Sequence, residues 1–201
     1  MKNIIARGAE AILIKKGAIL IKDRIKKAYR IKELDDKLRR QRTKKESKLL
    51  KKLENIIPVP KILSFREYQI NMELINGEKL SDNFDKIKNI NKICKEIGKN
   101  IANLHEQNII HGDLTTSNMI LSKNKILYFI DFGLSFESSS YEDKAVDLHV
   151  MKESLEAKHY KIAAKCWEII LKIYKKKANY SFQILNSLKK VEKRGRYKQS
   201  Y

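Results

Sequence analysis

Cysteine is nearly absent from this chain. Cys94 and Cys166 are the only two among 201 residues, far apart in sequence. No Cys-x-x-Cys or Cys/His spacing supplies zinc or dithiol redox chemistry, and a disulfide scaffold is excluded. A reducing, cytoplasmic compartment is therefore expected. Proline occurs twice, at Pro58 and Pro60, and glycine seven times, too few for a low-complexity or collagen-like chain. No apolar run approaches the ~18 residues of a membrane span, so no membrane association is expected. Strand-like sequence begins by Ile4, without a signal-peptide pattern. Acidic residues are also scarce relative to basic ones: 24 Asp+Glu stand against 44 Lys+Arg, for a net charge of +20. A field of that sign attracts polyanions such as nucleic acid or nucleotide phosphates.

Apolar content is 42%, enough for a globular core. Residues 4–8, 11–14 and 18–22 predict three antiparallel strands, with a turn at Lys15-Lys16-Gly17. A charged amphipathic helix is expected from Leu34 to Asn55, with Leu38, Leu49, Leu50 and Leu53 on its apolar side. Pro58 and Pro60 end it. Two more strands are expected at 62–65 and 69–75, around a turn near Glu67. Gly77 marks a break, after which nearly everything except 109–133 has helical periodicity. Helices are predicted over 87–107, 141–157 and 159–176, with Ser181 as the N-cap of a last one to about Glu192. The expected fold is α+β and two-lobed, protein-kinase-like. Residues 1–76 form a five-stranded N-lobe with one helix, 77–192 a reduced, mainly helical C-lobe, and 193–201 a basic flexible tail.

The chemistry is concentrated in His-Gly-Asp-Leu-Thr-Thr-Ser-Asn at 111–118 and Ile-Asp-Phe-Gly at 130–133. Phosphoryl transfer of the kinase type needs one Asp to orient the nucleophile and accept its proton, with an Asn and a second Asp to hold magnesium. Asp113 suits the first role; Asn118 and Asp131 suit the metal. Short strands at 119–121 and 126–130, joined by a Lys-Asn turn, would return Asp131 beside Asn118. The motifs resemble the H-R-D-L-x-x-x-N and D-F-G elements of protein kinases.

A kinase also needs a strand Lys on the ATP phosphates and a helix Glu to hold it. Lys22 and Glu46 fill those places. Arg7-Gly8-Ala9-Glu10-Ala11 stands where the Gly-rich loop would be. Only Gly8 remains, so phosphate grip should be looser or supplemented by basic side chains. Adenine is expected between the lobes, lined by Leu20, Met72, Ile120 and Ile130, with hinge backbone near Glu73. No A-P-E element follows Asp131, and Gly112 replaces the usual Arg. Activity should then not depend on activation-loop phosphorylation.

These motifs resemble the small atypical kinase subunit of the KEOPS (EKC) complex, the PRPK family. The likeness is nearly end to end. It includes Gly8-Ala9-Glu10-Ala11, residues 21–30, Arg39-Arg40-Gln41-Arg42-Thr43-Lys44-Lys45-Glu46, Met72-Glu73, 110–118, 130–135, Glu142–Leu148 and Arg194-Gly195-Arg196. It implies a Ser/Thr kinase fold using ATP and Mg2+, acting largely as an ATPase, in a complex that makes threonylcarbamoyladenosine in tRNA. The implied partners are a Kae-type threonylcarbamoyl transferase subunit and a small Cgi-type subunit. Lys193, Arg194, Arg196 and Lys198 are the candidate tRNA contacts.

The alternative is a RIO-type atypical kinase of ribosome maturation, although such kinases usually lack Phe-Gly after the metal Asp. A small-molecule phosphotransferase shares the His-Gly-Asp-Leu run but carries a larger helical lobe. A pseudokinase scaffold would not need Asp113, Asn118 and Asp131 together.

Overall fold

Alternating β-branched residues and tight turns build the first part of the chain as a sheet. The computed structural model describes residues 3–197, which divide into two compact units between Asn76 and Gly77. In the first, β1 (Asn3–Arg7), β2 (Ala11–Lys16), β3 (Ile19–Arg24), β4 (Ile62–Arg66) and β5 (Gln69–Glu73) form one antiparallel sheet in the order β1-β2-β3-β5-β4. Gly17 turns β2 into β3 with φ 61°, the first-position Gly that a two-residue hairpin favours.

Helix α1 (Lys32–Leu53) covers this sheet with Leu49, Leu50 and Leu53. Its other buried positions are polar: Asp35, Arg39, Thr43, Glu46 and Ser47. The buried stripe thus changes from polar to apolar along the helix, and Leu38 is only half-buried.

The second unit contains β6 (Gly77–Lys79), α2 (Leu80–Asn83), α3 (Ile90–Glu106), β7 (Ile109–Ile110), β8 (Met119–Ser122), β9 (Leu127–Phe129), β10 (Phe136–Glu137), α4 (Tyr141–Lys158), α5 (Ala163–Lys177) and α6 (Ser181–Tyr197). Strands β6, β8 and β9 form a small sheet, and β7 pairs with β10. Ile93, Ile97, Ile101 and Leu104 form the buried stripe of α3, which packs on α5. Each such side chain contributes about 1.5–3 kcal/mol relative to exposure. Among the described residues no helix is long and apolar enough to cross a membrane.

The expected break at Gly77 coincides with the division between the units, and Gly77 also begins β6, where a Cβ would lie 2.4 Å from the Leu121 carbonyl oxygen. Three expected helix boundaries move. Helix α3 starts at Ile90 rather than 87, because Phe84 is buried in a 3-10 turn and Asn89 leaves helical geometry. Helix α5 starts at Ala163 rather than 159, because His159 ends α4 and bonds Asp85 and Thr116 instead. Helix α6 runs on to Tyr197, past the expected end at Glu192, so residues 193–197 continue the helix. Lys152 bonds Glu192 at 2.6 Å and Arg194 bonds Glu142 at 2.5 Å, and cations suit a helix C-terminus.

Candidate active site

In the second unit, the hairpin of β8 and β9 ends with the Ile130 N–H donating to the Asn118 carbonyl at 2.9 Å. That bond brings Asp131 next to Asn118. The Asn118 amide nitrogen donates to both the backbone oxygen (2.9 Å) and the carboxylate (2.8 Å) of Asp113. Only the NH2 side of the amide can do this, which leaves the Asn118 carbonyl oxygen for another ligand. Asp131 is exposed, has φ 61° and accepts from the Gly133 N–H at 3.3 Å.

His111 is fully buried. Its Nδ1 accepts from the Asp113 N–H at 3.3 Å, and Nε2 donates to the Ile130 carbonyl at 3.2 Å. Burial pushes its pKa below the usual value, in keeping with a neutral ring that is donor on one side and acceptor on the other. The imidazole therefore splints the Asp113 loop to the strand end that carries Asp131.

The loop rests on a residue to which the sequence assigned no role. Asp147, 1% exposed on α4, accepts from the backbone N–H groups of His111 (2.9 Å) and Gly112 (3.0 Å). His105 Nε2 lies 3.3 Å from the same carboxylate, while its Nδ1 accepts from Tyr174 Oη at 2.8 Å. Burial pushes the Tyr174 pKa up, so its hydroxyl keeps the proton it donates. A signal existed: Asp147 interrupts the face made by Leu148, Met151 and Leu155. Burial alone would raise its pKa, but hydrogen bonds from His105 and the His111 backbone hold it below the ordinary 3.8.

Asp147→Ala should cost about 1–3 kcal/mol for each buried donor left unpaired, read as a lower urea midpoint. A carboxyl depressed on folding contributes stability above 3.8 and loses it as pH falls through the folded value. The gap between wild type and variant should therefore be full at neutral pH and narrow in strong acid. A pH-independent gap would contradict a charged Asp147.

The segment after Asp131 is folded back tightly. Ser135 Oγ donates to the His111 carbonyl at 2.7 Å, β10 pairs with β7, and Ser140 caps α4. Gly112 has φ 79°, and a Cβ there would lie 2.7 Å from the Leu134 carbonyl oxygen. The place of the usual Arg is thus closed by both backbone geometry and Leu134.

In the first unit, Lys22 Nζ contacts Glu46 Oε1 at 2.6 Å, and Arg24, also missed as a site residue, contacts Oε2 at 2.5 Å. All three side chains are buried, so Glu46 offsets two cations. Gly8 donates its N–H to the Ala11 carbonyl at 2.9 Å, and Lys27 Nζ donates to the Ala9 carbonyl. Arg42 and Arg30 reach Glu10 at 2.6 and 3.5 Å. Partial burial of Glu10 works to raise its pKa, but these cations hold it below the usual value. Basic side chains, rather than further glycines, fasten this loop.

Leu20 and Met72 face each other across β3 and β5, and the Glu73 N–H is used by the Lys61 carbonyl. Ile120 lies on β8, and Ile130 directly follows β9. Of the four basic residues proposed for nucleic acid, Lys193, Arg194 and Arg196 lie on α6 and Lys198 lies outside the described residues. Among the described residues no cluster of three or more His, Cys, Asp or Glu could hold a metal. Asn118 and Asp131 instead offer an amide oxygen and a carboxylate, a hard, partial set that suits magnesium completed by water and phosphate.

A RIO domain family model matches residues 18–148. The chain is 40% identical over 188 residues to the KEOPS complex subunit Bud32 of Pyrococcus abyssi, covering 90% of this chain and 85% of the relative. It is 43% identical over 204 residues to a probable bifunctional tRNA threonylcarbamoyladenosine biosynthesis protein of Methanobrevibacter smithii. That match covers 97% of this chain and 37% of the longer relative. Among solved structures, the Rio2 kinase–ADP/Mg2+–phosphoaspartate complex of Chaetomium thermophilum superposes with a TM-score of 0.64. It covers 96% of this chain and 70% of that one at 13% identity, a likeness of fold. A protein-kinase-like fold, the Asp113–Asn118–Asp131 order and high identity over most of both chains agree, and the chain belongs to the Bud32 family of RIO-domain proteins.

Proposed function

We propose that this chain is the ATP-using kinase subunit of a KEOPS-type complex that supports threonylcarbamoyladenosine formation in tRNA. The observation that carries the chemistry is the bonding of Asn118 to Asp113 at 2.8 Å together with the Ile130–Asn118 bond that delivers Asp131. Asp113 orients the attacking oxygen and accepts its proton, and Lys22, held by Glu46, neutralises phosphate charge. Magnesium held by Asn118 and Asp131 would supply charge neutralisation at the transferred phosphoryl group. The short, pinned segment from Gly133 to Ser140 supplies little of a peptide-binding shelf, which favours water over a protein hydroxyl as acceptor.

The relatives' names support the biological setting. The Methanobrevibacter relative carries in one chain a region similar to this one and a longer remainder, which favours a threonylcarbamoyl transferase of the Kae type as partner, with a Cgi-type subunit as a second. The reading of a ribosome-maturation kinase is disfavoured: the Rio2 likeness is 13% identical against 40% for the KEOPS subunit. Reconstitution with the transferase, the small subunit and tRNA tests the proposal. Threonylcarbamoyladenosine formation should require this chain and ATP turnover by it. Full modification without the chain would refute the reading.

A further inference from the structure

Lysines from separate stretches of the second unit meet around an open cleft of about 690 Å³. Lys79 ends β6, Lys86 ends a 3-10 turn, Lys88 precedes α3 and Lys92 lies in its first turn. Lys123 and Lys125 come from the turn between β8 and β9. All six are exposed, and among the described residues none has a carboxylate partner. Some other cations of this chain are paired, as Lys22 is with Glu46 and Lys152 with Glu192. Among the described residues the one acid lining the cleft, Glu78, accepts from Asn83 at 2.8 Å. Leu80 and Ile93 form a buried aliphatic floor.

We propose that this cleft is a docking groove for the phosphate backbone of double-helical RNA. Flexible lysines spread over an open surface supply separate point charges, which match a row of phosphates rather than one. Among the described residues no arginine fork lines the cleft to grip a single phosphate. No aromatic ring lines it either, so unpaired bases find no stacking platform. A-form RNA read by shape and backbone charge needs neither. The groove rests on the tRNA-modification reading only for naming the RNA as tRNA.

The test uses the full chain, titrated with fluorescent tRNA, with duplex RNA and with single-stranded RNA of equal length over a potassium chloride series. One variant combines Lys86→Ala, Lys88→Ala, Lys92→Ala, Lys123→Ala and Lys125→Ala. A control removes the same charge from α5 through Lys165→Ala, Lys172→Ala, Lys175→Ala, Lys176→Ala and Lys177→Ala. Circular dichroism confirms that both are folded. The groove variant should bind tRNA and duplex at least about tenfold more weakly at low salt. Its slope of log affinity against log salt should become shallower by about 0.9 for each phosphate no longer neutralised. The control should keep most of its affinity and slope. Equal losses in both variants would reduce the effect to general charge and overturn the groove. So would single-stranded RNA bound as tightly as duplex. Unchanged RNA binding in the groove variant would also overturn it and leave the cleft to an acidic protein. Failure of the tRNA-modification reading appears separately, in the reconstituted modification assay.

Discussion

Asp131→Ala is expected to abolish magnesium-dependent ATP hydrolysis. The side chain is exposed and sits at a strand end, so its loss opens no cavity. A metal-held phosphoryl group draws several kcal/mol of transition-state stabilisation from that charge, equivalent to about 10³-fold or more in rate. The backbone at φ 61° suits Asp and Asn better than Ala. Asp131→Asn is therefore the cleaner companion, removing the charge while retaining the turn. Asp131→Asn should melt near wild type, and both variants should turn over ATP at background level. Turnover near wild type in Asp131→Asn would remove Asp131 from the metal role.

Asp113→Asn should slow turnover by about 10²-fold or more, with ATP affinity nearly unchanged. An amide of the same shape keeps an oxygen for the Asn118 donor at 2.8 Å but cannot accept a proton. General-base assistance is worth about 10²–10⁴-fold, and the loss belongs in kcat rather than KM. Steady-state kinetics with an independent nucleotide-binding measurement separates the two. A large loss of affinity with full turnover at saturation would make Asp113 a binding residue instead.

What the sequence by itself determined is the motif set and its local placement. Asp113, Asn118 and Asp131 lie within one loop and one short hairpin, so two short strands and a turn suffice to predict that Asp131 returns toward Asn118, which the Ile130–Asn118 bond achieves. The Lys22–Glu46 contact was legible for a different reason: the kinase pattern asks for a Lys on the third strand and a Glu on the helix that follows. Element ends were less legible, because His159 and Arg194 take partners from distant segments. Tertiary structure alone decided which buried polar groups meet. Asp147 becomes the seat of the Asp113 loop only because α4 packs beneath it, and Arg24 shares Glu46 only because α1 crosses the sheet there. Leu134 closes the space beside Gly112, and the lysine cleft draws on separate segments. Periodicity is set by neighbouring residues along the chain, whereas a buried or clustered charge is defined by what packing places beside it.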